Sequence, residues 1–366
     1  MKLLIIADDF TGAMDTAVQF SDWQVSTLVT TTLVSDADIV VVDTDTRHAN
    51  AQDAYQKVYD LVCMAKSQGF THFYKKVDST LRGNIGAEIA ALMDATGYEE
   101  ISLLPAYPEN GRTTVGGIQY VDGVPLDQSP SAQDPFDPIR TANVMDIVRS
   151  QCTRDGIIVY DAKTDEDLLR LAHTLNLHII AGCAGLAKHL PQVFDLEKAS
   201  KKRPIIFPEE FIVISGSVHP KTLEQLQYAK EHGFVLHSPT ETQNINSCYI
   251  GPTYNNRIMI AAASQKENLI VSESEQTRQG IASALAKIAV DYAHQNKTLI
   301  IFGGDTFREV VNQLNCHKIK PLREVLPGIV LSQSLDGNYT FVSKSGGFGS
   351  KDVLLQIEKS LRDINR

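Results

Sequence analysis

The chain opens with the apolar run Leu3–Ala7 (LLIIA), which leads directly into the polar turn Asp8–Gly12 (DDFTG). An apolar run of this length predicts a buried strand, and the residues after the turn predict a helix near Gly12–Phe20. The turn lacks the G-x-G-x-x-G spacing, so it carries no dinucleotide fingerprint. Strand–turn–helix units of this kind recur along the chain and decide the predicted fold.

Short β-branched runs alternate with longer helical patterns through the first half of the chain. The further predicted strands are Ile39–Asp43, His72–Val77, Ile101–Leu104 and Ile157–Tyr160. The further predicted helices are Ala51–Gln68, Gly86–Thr96, Thr141–Gln151 and Asp165–Leu175. This alternation is typical of βαβ units that build a mostly parallel sheet.

A charged, proline-punctuated stretch, Leu196–Glu210, predicts a linker between two domains, residues 1–200 and 201–366. The second domain has its own predicted strands, Phe211–Ser215, Ile258–Ala262, Leu299–Phe302 and Tyr339–Val342. Its predicted helices are Pro220–His232, Glu275–His294, Thr306–Leu314 and Asp352–Ile364. We therefore expect an α/β protein of two domains, each a mostly parallel sheet flanked by helices, with a cleft between them.

Charge and composition narrow the range of partners. The chain has 44 acidic and 34 basic residues, a formal net charge of −10, which argues against nucleic acid as the main partner. No apolar run approaches the roughly 20 residues of a membrane span, and the opening run is too short for a signal peptide. The five cysteines are odd in number and form no C-x-x-C pair. We therefore expect a cytoplasmic protein with no membrane partner.

Adjacent carboxylates follow the first predicted strand, at the end of a parallel sheet where ligands usually bind. Asp8 and Asp9 could hold Mg²⁺, or one of them could accept a proton from a substrate hydroxyl. The alternative is helix capping by Asp9 or Thr11. One residue suffices for a cap, so the doublet favours a functional site.

A second cluster, Lys75–Asn84 (KKVDSTLRGN), combines cations, a carboxylate and hydroxyls at a strand end. These groups suit a small polyhydroxylated anion, because arginine binds carboxylates while aspartate and hydroxyls hold sugar oxygens. Side chains alternate along a strand, so one of the two lysines points away from any site, and we favour Lys76 over Lys75. An exposed turn with solvated charges is the alternative. The candidate substrate ligands are Asp8, Asp9, Arg47, Lys76, Asp78, Ser79, Thr80 and Arg82.

The segment from Pro105 to Pro138 is rich in proline and glycine and predicts a long loop. Loops of this length in compact domains tend to be functional or mobile. This one could cover a cleft or could be a surface excursion.

Glycine-rich turns follow strands of the second domain, where backbone amides could approach a phosphate closely. The turns are Ser215–Pro220 (SGSVHP), Gly303–Thr306 (GGDT) and Ser343–Asp352 (SKSGGFGSKD). A tight strand–helix turn uses the same residues, with Asp305 or Thr306 as the cap, but two glycine loops in one domain favour phosphate binding. The chain lacks the P-loop, H-R-D, H-E-x-x-H and G-x-S-x-G motifs, which excludes the enzyme classes that carry them.

Taken together, these motifs resemble those of the four-carbon acid sugar kinases. The matching segments are Ile6–Gly12, Lys75–Asn84, Gly111–Thr114, Gly182–Ala187, Ser215–Ser217, Gly303–Thr306 and Lys344–Gly349. The resemblance implies a kinase that uses ATP to phosphorylate the terminal hydroxyl of threonate, erythronate or 3-oxo-tetronate. It also implies that the N-terminal domain binds the sugar acid and the C-terminal domain binds the nucleotide. The candidate nucleotide ligands are Ser217, Gly303, Gly304, Asp305, Thr306, Gly346 and Gly347.

In this hypothesis, Asp9 or Asp78 accepts the proton of the attacking hydroxyl, with Asp9 favoured, and Asp8 lies nearer a Mg²⁺ ion. Two other functions stay open, a sugar-acid dehydrogenase that uses NAD and a sugar-acid sensor without catalysis. A dehydrogenase requires a glycine fingerprint with an acidic residue about 20 positions further on, which neither glycine loop provides. The sequence leaves the oligomeric state open, with a homodimer among the options.

Overall fold

The computed structural model describes residues 1–133, 138–200, 204–237, 257–261 and 275–365. The chain divides into two compact units, Met1–Lys202 and Arg203–Arg366, and each has its own strands and hydrophobic core. Cys248, Ala262 and part of the expected linker lie outside the described residues. Within the described ranges, no helix is long and apolar enough to cross a membrane.

The N-terminal unit alternates strands with helices along most of its length. Its strands are β1 (Leu3–Ala7), β2 (Thr27–Thr30), β3 (Ile39–Asp43), β4 (His72–Lys76), β5 (Ile101–Leu104), β6 (Arg112–Val115), β7 (Ile118–Val121), β8 (Val124–Pro125), β9 (Ile157–Val159) and β10 (Ile179–Gly182). Its helices are α1 (Phe10–Ala17), α2 (Ala51–Ser67), α3 (Ile85–Thr96), α4 (Val144–Gln151), α5 (Asp165–Ala172), α6 (Ala184–Ala187) and α7 (Leu190–Val193). Short 3-10 turns cover Val18–Phe20, Pro108–Asn110, Leu126–Gln128 and Pro130–Gln133.

Seven of these strands form a parallel sheet in the order β2-β3-β1-β4-β10-β5-β9. The predicted parallel sheet is therefore confirmed, but sequence analysis missed β2 and β10. β2 and β10 each contain only two large apolar residues, Leu28–Val29 and Ile179–Ile180, so neither gives a clear strand signal.

Strand alternation separates the two faces of this sheet. Leu4, Ile6, Val40 and Val42 share a buried cluster with α2, α3 and α4, whereas α1 packs with α6. Nearly every residue of α3 is buried, which explains its continuous run of apolar and small residues. Successive residues of β4 must therefore face different helices.

The expected loop after Pro105 is wrong for part of its length, because β6, β7 and β8 form a small antiparallel sheet. Two tight turns build it, one at Gly116–Gly117 and one at Asp122–Gly123. All four turn residues have positive φ angles between 51° and 82°. Glycine-glycine and aspartate-glycine pairs are the usual residues of such two-residue hairpins, so the signal was present in the sequence.

The C-terminal unit has a sheet that is parallel on one side and antiparallel on the other. Its strands are β11 (Phe211–Ser215), β12 (Val235–His237), β13 (Ile258–Ala261), β14 (Thr298–Phe302), β15 (Lys318–Leu326), β16 (Ile329–Ser334) and β17 (Thr340–Lys344). Its helices are α8 (Pro220–Glu231), α9 (Glu275–Ala293), α10 (Gly304–Gln313) and α11 (Val353–Ile364).

The order of this sheet is β12-β13-β11-β14-β17-β16-β15, and β16 pairs antiparallel with both β15 and β17. Sequence analysis missed β12 and the β15–β16 hairpin. Pro321 lies inside β15, next to an irregularity in the pairing register, and a proline within an apolar run argues against a strand. The mostly parallel character expected for this unit is confirmed by β12, β13, β11, β14 and β17.

The capping box of α5 offers a direct test of local stability in the N-terminal unit. Thr164 Oγ1 accepts a hydrogen bond from the Asp167 amide (3.1 Å), and Asp167 Oδ2 accepts one from the Thr164 amide (3.2 Å). We expect Thr164→Ala to lower the free energy of unfolding by about 1 kcal/mol, because the first turn of α5 loses an acceptor. Thr164→Ser keeps that acceptor and serves as the control in urea denaturation. Equal urea midpoints for the alanine and serine variants would contradict the assignment.

Candidate functional site

Three neighbouring parallel strands of the N-terminal unit end at the same edge of the sheet. In β1, Ala7 pairs with Asp43 of β3, and Ile6 pairs with Lys75 of β4. The segments that follow these strands therefore start side by side. The structure brings together candidates from three strand ends that sequence analysis named, Asp8 and Asp9, Arg47, and the Lys75–Asn84 cluster.

Arg47 is the centre of this cluster. Its Nε atom donates to Asp8 Oδ2 (2.8 Å), and its Nη2 atom donates to Asp8 Oδ1 (2.9 Å) and to Asp9 Oδ1 (2.8 Å). Nη2 also lies 3.7 Å from Asp78 Oδ1. One guanidinium, only 9% exposed, thus joins three carboxylates that come from two different strand ends.

The electrostatics of the cluster follow from this arrangement. Burial raises the pKa of the Asp8 carboxyl, but the charge and hydrogen bonds of Arg47, together with the charges of Lys75 and Lys76, lower it below its usual value. Burial also opposes ionisation of Asp78, and there the charges of Arg82 and Arg47 bring the pKa well below the usual range. Both carboxyls are therefore ionised at neutral pH.

Asp9 has the capping role that sequence analysis gave as the alternative to a functional site, and it also bonds Arg47. It is the N-cap of α1, where Oδ1 accepts a hydrogen bond from the Gly12 amide (2.9 Å) and Oδ2 accepts one from Thr11 Oγ1 (2.7 Å). Its side chain is 12% exposed, against 3% for Asp8. The doublet therefore has one carboxylate buried against Arg47 and one nearer the surface.

Asp78 binds the second arginine of the cluster. Its Oδ2 atom accepts hydrogen bonds from Arg82 Nε (2.8 Å) and from the Thr80 hydroxyl, and its Oδ1 atom accepts one from Arg82 Nη2 (3.2 Å). The Ser79 carbonyl accepts a hydrogen bond from Gln119 Nε2 (2.9 Å), which ties this segment to β7. Ser79 and Thr80 are both buried, and the Thr80 hydroxyl already donates to Asp78.

The two lysines of β4 lie on opposite faces of the sheet, as strand alternation requires. Lys75 Nζ is fully buried and bonds Glu88 Oε2 (2.8 Å), the Ile6 carbonyl (3.1 Å) and its neighbour's carbonyl (2.7 Å). Lys76 Nζ donates to the Val77 carbonyl (2.9 Å) and lies 3.9 Å from Asp15 Oδ1. Burial opposes the charge of Lys76, but Asp15, Asp9 and Asp8 raise its pKa. Lys76 therefore faces Asp15 and Asp9, whereas Lys75 is paired with Glu88, and the charges of both lysines act on Asp8.

Two buried ionisable residues near the cluster were not among the predicted ligands. Glu88 of α3 accepts hydrogen bonds from Lys75 and from the Thr46 hydroxyl, next to Arg47 in the chain. The sequence signal for Glu88 was an acidic residue placed among the apolar and small residues of α3. Arg112 of β6 is 3% exposed, and burial lowers its pKa although Asp122 and Asp78 raise it. Its signal was the Gly111–Thr114 motif.

The cluster does not fit a magnesium ion at Asp8. Both oxygens of this carboxylate accept hydrogen bonds from Arg47, so the guanidinium lies where a cation would bind. In the part of the chain that the structure describes, no group of three or more His, Cys, Asp or Glu side chains is arranged to hold a metal.

In the C-terminal unit, parallel strands also end side by side at one edge of the sheet, but they bring together backbone groups and not charged side chains. Ser215 of β11 pairs with Phe302 of β14, which pairs with Lys344 of β17. These three parallel strands end in register. The loops that follow them, residues 216–219, 303 and 345–350, start at one edge of the sheet.

These loops contact each other directly. The Gly216 amide donates to the Phe302 carbonyl (3.1 Å), and the Gly303 amide donates to the Lys344 carbonyl (3.2 Å). Thr222 Oγ1 lies 3.1 Å from Ser217 Oγ and donates to the Gly346 carbonyl (3.0 Å). A Cβ atom on Gly346 would lie 2.7 Å from Ser217 Oγ, so this close approach requires glycine.

The first turn of α10 completes this group of predicted nucleotide ligands. The N-cap is Gly303, with a φ angle of 112° and no capping side chain, so the expected cap by Asp305 or Thr306 is wrong. Asp305 Oδ2 instead accepts a hydrogen bond from Arg278 Nη1 (3.1 Å) of α9. A helix N-terminus beside glycine loops is a favourable environment for phosphate.

At the start of α8, Pro220 occupies the first helical turn as expected, and His219 Nδ1 accepts a hydrogen bond from the Lys221 amide (3.2 Å). His219 therefore caps this helix.

Comparison with known proteins assigns a class to each unit. Residues 3–155 match the model of a family described as "Sugar-binding N-terminal domain". Residues 212–354 match that of "Nucleotide-binding C-terminal domain". The chain therefore has a sugar-binding domain followed by a nucleotide-binding domain.

Relatives are similar over nearly the whole chain. A D-threonate kinase of Salmonella typhimurium is 27% identical, with 97% of each protein covered. A 3-oxo-tetronate kinase of Haemophilus influenzae is 25% identical over 95% of this chain and 97% of its own. A crystal structure of a Haemophilus influenzae protein shares the fold, with a TM-score of 0.70, 22% identity and coverage of 99% and 100%. The chain belongs to the four-carbon acid sugar kinase family, which confirms the resemblance seen in its sequence.

Removing the charge and the hydrogen-bond donors of Arg47 tests whether this residue stabilises the buried carboxylates of the N-terminal cluster. We expect Arg47→Met to lower the free energy of unfolding at pH 7 by about 3–5 kcal/mol, because it leaves buried carboxylates without their partner. The control is Arg170→Met, which breaks an exposed ion pair with Asp167 and should cost no more than about 1 kcal/mol. Similar losses in the two variants would contradict the account.

The same variant should change the response to acid. Because the folded state lowers the pKa of Asp8 and Asp78, their stabilisation is complete above the ordinary value of 3.8 and is lost as pH falls through the lowered values. Without Arg47 the lowering is smaller, so acid unfolding should begin at a higher pH than in the unaltered protein. Circular dichroism during acid titration measures this, and identical midpoints would contradict it.

Proposed function

We propose that this chain is a kinase that uses ATP to phosphorylate the terminal hydroxyl of a four-carbon sugar acid, with threonate, erythronate and 3-oxo-tetronate as the candidate acceptors. The observation that carries the proposal is that one chain contains two different clusters of polar groups, one at the strand ends of each unit. The N-terminal unit gathers arginines, a lysine and carboxylates, and the C-terminal unit gathers glycine loops and a helix N-terminus. The kinase relatives support the same pairing of sugar acid and nucleotide.

Arg82, Arg47 and Lys76 supply the positive charge that attracts the acid's carboxylate in this proposal. Arg82 has the most accessible side chain of the three, at 19% exposed against 9% and 4%. Arg47 already bonds Asp8 and Asp9, so we assign it to holding the cluster together and to the charge of the site. Arg82 then provides the main contact with the carboxylate, since its planar guanidinium suits that group.

Asp9 is the proposed acceptor of the hydroxyl proton. It is the most exposed of the three clustered carboxylates, at 12% against 10% for Asp78 and 3% for Asp8. Asp78 is a weaker candidate, because Arg82 and Arg47 lower its pKa despite burial and so reduce its basicity. A positioned base contributes a factor of roughly 10²–10⁴ to such reactions.

The glycine loops hold the phosphates of ATP in the C-terminal unit. Gly304 and Gly346 provide amides and Ser217 provides a hydroxyl. Gly303 and Gly347 belong to the same loops, and the Gly303 amide already donates to the Lys344 carbonyl. Asp305 and Thr306 lie in the first turn of α10. Mg²⁺ is part of the proposed donor as its nucleotide complex, and no side chain of the N-terminal cluster is assigned to it. Positioning and charge neutralisation supply most of the acceleration in phosphoryl transfer.

We place this reaction in the cytoplasm, where ATP is available. The four cysteines that the structure describes, Cys63, Cys152, Cys183 and Cys316, are free thiols, as expected in a reducing compartment.

A panel assay tests the function. The purified protein is incubated with ATP and each epimer of threonate and erythronate, and with 3-oxo-tetronate, while ADP formation is followed. We expect ADP formation that depends on one or more of these acids. ATP left untouched by the whole panel would contradict the kinase and favour the dehydrogenase or the sensor, which NAD reduction and acid binding would then separate.

Replacing the proposed base tests the role of Asp9. Asn is an equally good N-cap and keeps the acceptor for the Gly12 amide, so Asp9→Asn removes charge and basicity with little change of structure. We expect kcat to fall by about 10²–10⁴, while the Kd for ATP changes less than twofold.

The matched control is Asp53→Asn, an exposed residue in the first turn of α2, which should leave kcat unchanged. Turnover by Asp9→Asn within threefold of the unaltered protein would remove Asp9 from the mechanism.

A further inference from the structure

The loop Ser345–Ser350 after β17 is held by side chains that contact its carbonyl groups from inside the protein. Lys344 Nζ donates to the carbonyls of Ser345 (2.9 Å), Gly346 (3.2 Å) and Phe348 (3.2 Å). Gln225 Nε2, from α8, donates to those of Phe348 (2.9 Å), Gly349 (3.1 Å) and Ser350 (3.1 Å). Five of the six loop carbonyls thus accept hydrogen bonds from two buried side chains.

This pattern sets the direction of the loop amides. A peptide group has its carbonyl and its amide on opposite sides, so carbonyls drawn inward turn the adjoining amides outward. The Phe348 amide is an exception, because it donates to the Ser345 carbonyl (3.2 Å). The amides that follow the bonded carbonyls on either side of it can form the concave anion-binding arrangement known from other phosphate sites. Gly346, Gly347 and Gly349 are only partly buried, so this side of the loop is accessible.

The Lys344 nitrogen lies among carbonyl groups. Its side chain is fully buried, and its nitrogen has three carbonyl acceptors. A protonated ammonium has three N–H donors and can give one to each carbonyl, so this geometry favours the charged form. The nitrogen also lies 4.5 Å from the centre of the Phe302 ring, a contact that favours a cation.

The groups around Lys344 do not neutralise this charge. Burial lowers its pKa well below the ordinary lysine value, and the positive charge of Lys221 on α8 lowers it further. The neighbouring strands offer Phe302 from β14 and Ile329 from β16, and His219 lies against Gly346 at the start of α8. Among the described residues, no acidic side chain contributes to this shift.

We propose that Lys344 and Gln225 are positioning residues for the nucleotide, which draw the carbonyls of Ser345–Ser350 inward and place a buried positive charge behind its amides. The inference rests on the proposed function, because it takes the bound anion to be the phosphate chain of ATP. The phosphates supply the negative charge that the protein does not, so the nucleotide and the protonated Lys344 stabilise each other. Neither residue touches the reacting atoms.

Isothermal titration calorimetry with ATP tests the inference on the full chain. We expect Lys344→Met, which keeps the length of the side chain and removes its charge and donors, to weaken ATP binding at least about tenfold. KM for ATP should rise with it, while KM for the sugar acid stays within about twofold. The control is Lys359→Met, an exposed lysine of α11, which should bind ATP as the unaltered protein does.

The pH dependence separates this role from a merely structural one. Because phosphate stabilises the protonated lysine, ATP binding should take up protons and weaken as pH rises from 7.5 to 9.5. In Lys344→Met the dependence should be flatter, and Gln225→Met should weaken binding while it keeps the full pH dependence. Gln225→Met also serves as the second variant if Lys344→Met does not fold.

The outcomes distinguish failure of the proposed function from failure of this inference. If the unaltered protein does not bind ATP at all, the proposed function fails together with the inference. If it binds ATP and both variants bind within twofold of it, or if its own binding is independent of pH, the inference fails and the proposed function is unaffected.

Discussion

The site in each unit depends on parallel strands that pair in register and therefore end together. In the N-terminal unit, β3, β1 and β4 deliver Arg47, the Asp8–Asp9 pair and Asp78 to one edge. In the C-terminal unit, β11, β14 and β17 do the same for three loops. A shift of register would separate these groups, whatever their chemistry, so the hydrophobic strands that fix the register also fix the sites.

The two clusters handle charge in opposite ways. In the N-terminal unit, Arg47 and Arg82 are matched by Asp8, Asp9 and Asp78, so the cluster is organised before any ligand arrives. Under the proposed function, such preorganisation reduces the free energy needed to orient groups when the acid binds. In the C-terminal unit, Lys344 is held by carbonyl dipoles, and its charge suits a ligand with several negative charges. The proposed ligands differ in charge in a corresponding way, because the proposed acceptor has one carboxylate and the proposed donor has a triphosphate.

Much of the fold was predictable because it rests on local signals. The bounds of β1, β3, β5 and β11 agree with those predicted, since each is a run of four or five mostly β-branched or apolar residues next to a clear turn. β15 was missed because Pro321 interrupts its pattern, and the β6–β8 sheet was missed because two short turns were taken as one loop. For β15 tertiary pairing decides the structure, which a local pattern does not encode. The β6–β8 sheet, in contrast, has local signals in its two hairpin turns.

The site was predictable in part for the same reason. The sequence indicates which residues follow strands, so Asp8, Asp9, Arg47 and the Asp78–Arg82 segment were candidates, and strand alternation separated Lys76 from Lys75. It does not indicate that Arg47 binds Asp8 and Asp9 at once, 39 and 38 residues away in the chain, or that Glu88 lies beneath Thr46. These contacts arise only when the strands pair. The catalytic and binding roles of all these residues stay predictions.

The position of the new phosphoester tests the central claim most directly. Phosphorus-31 NMR of the product formed from ATP and a tetronate reports how many protons lie on the carbon that carries the phosphate. The account predicts splitting by two protons, as for a terminal CH₂–O–P group. Splitting by a single proton would place the phosphate on an inner hydroxyl, and no phosphoester signal would contradict phosphoryl transfer itself.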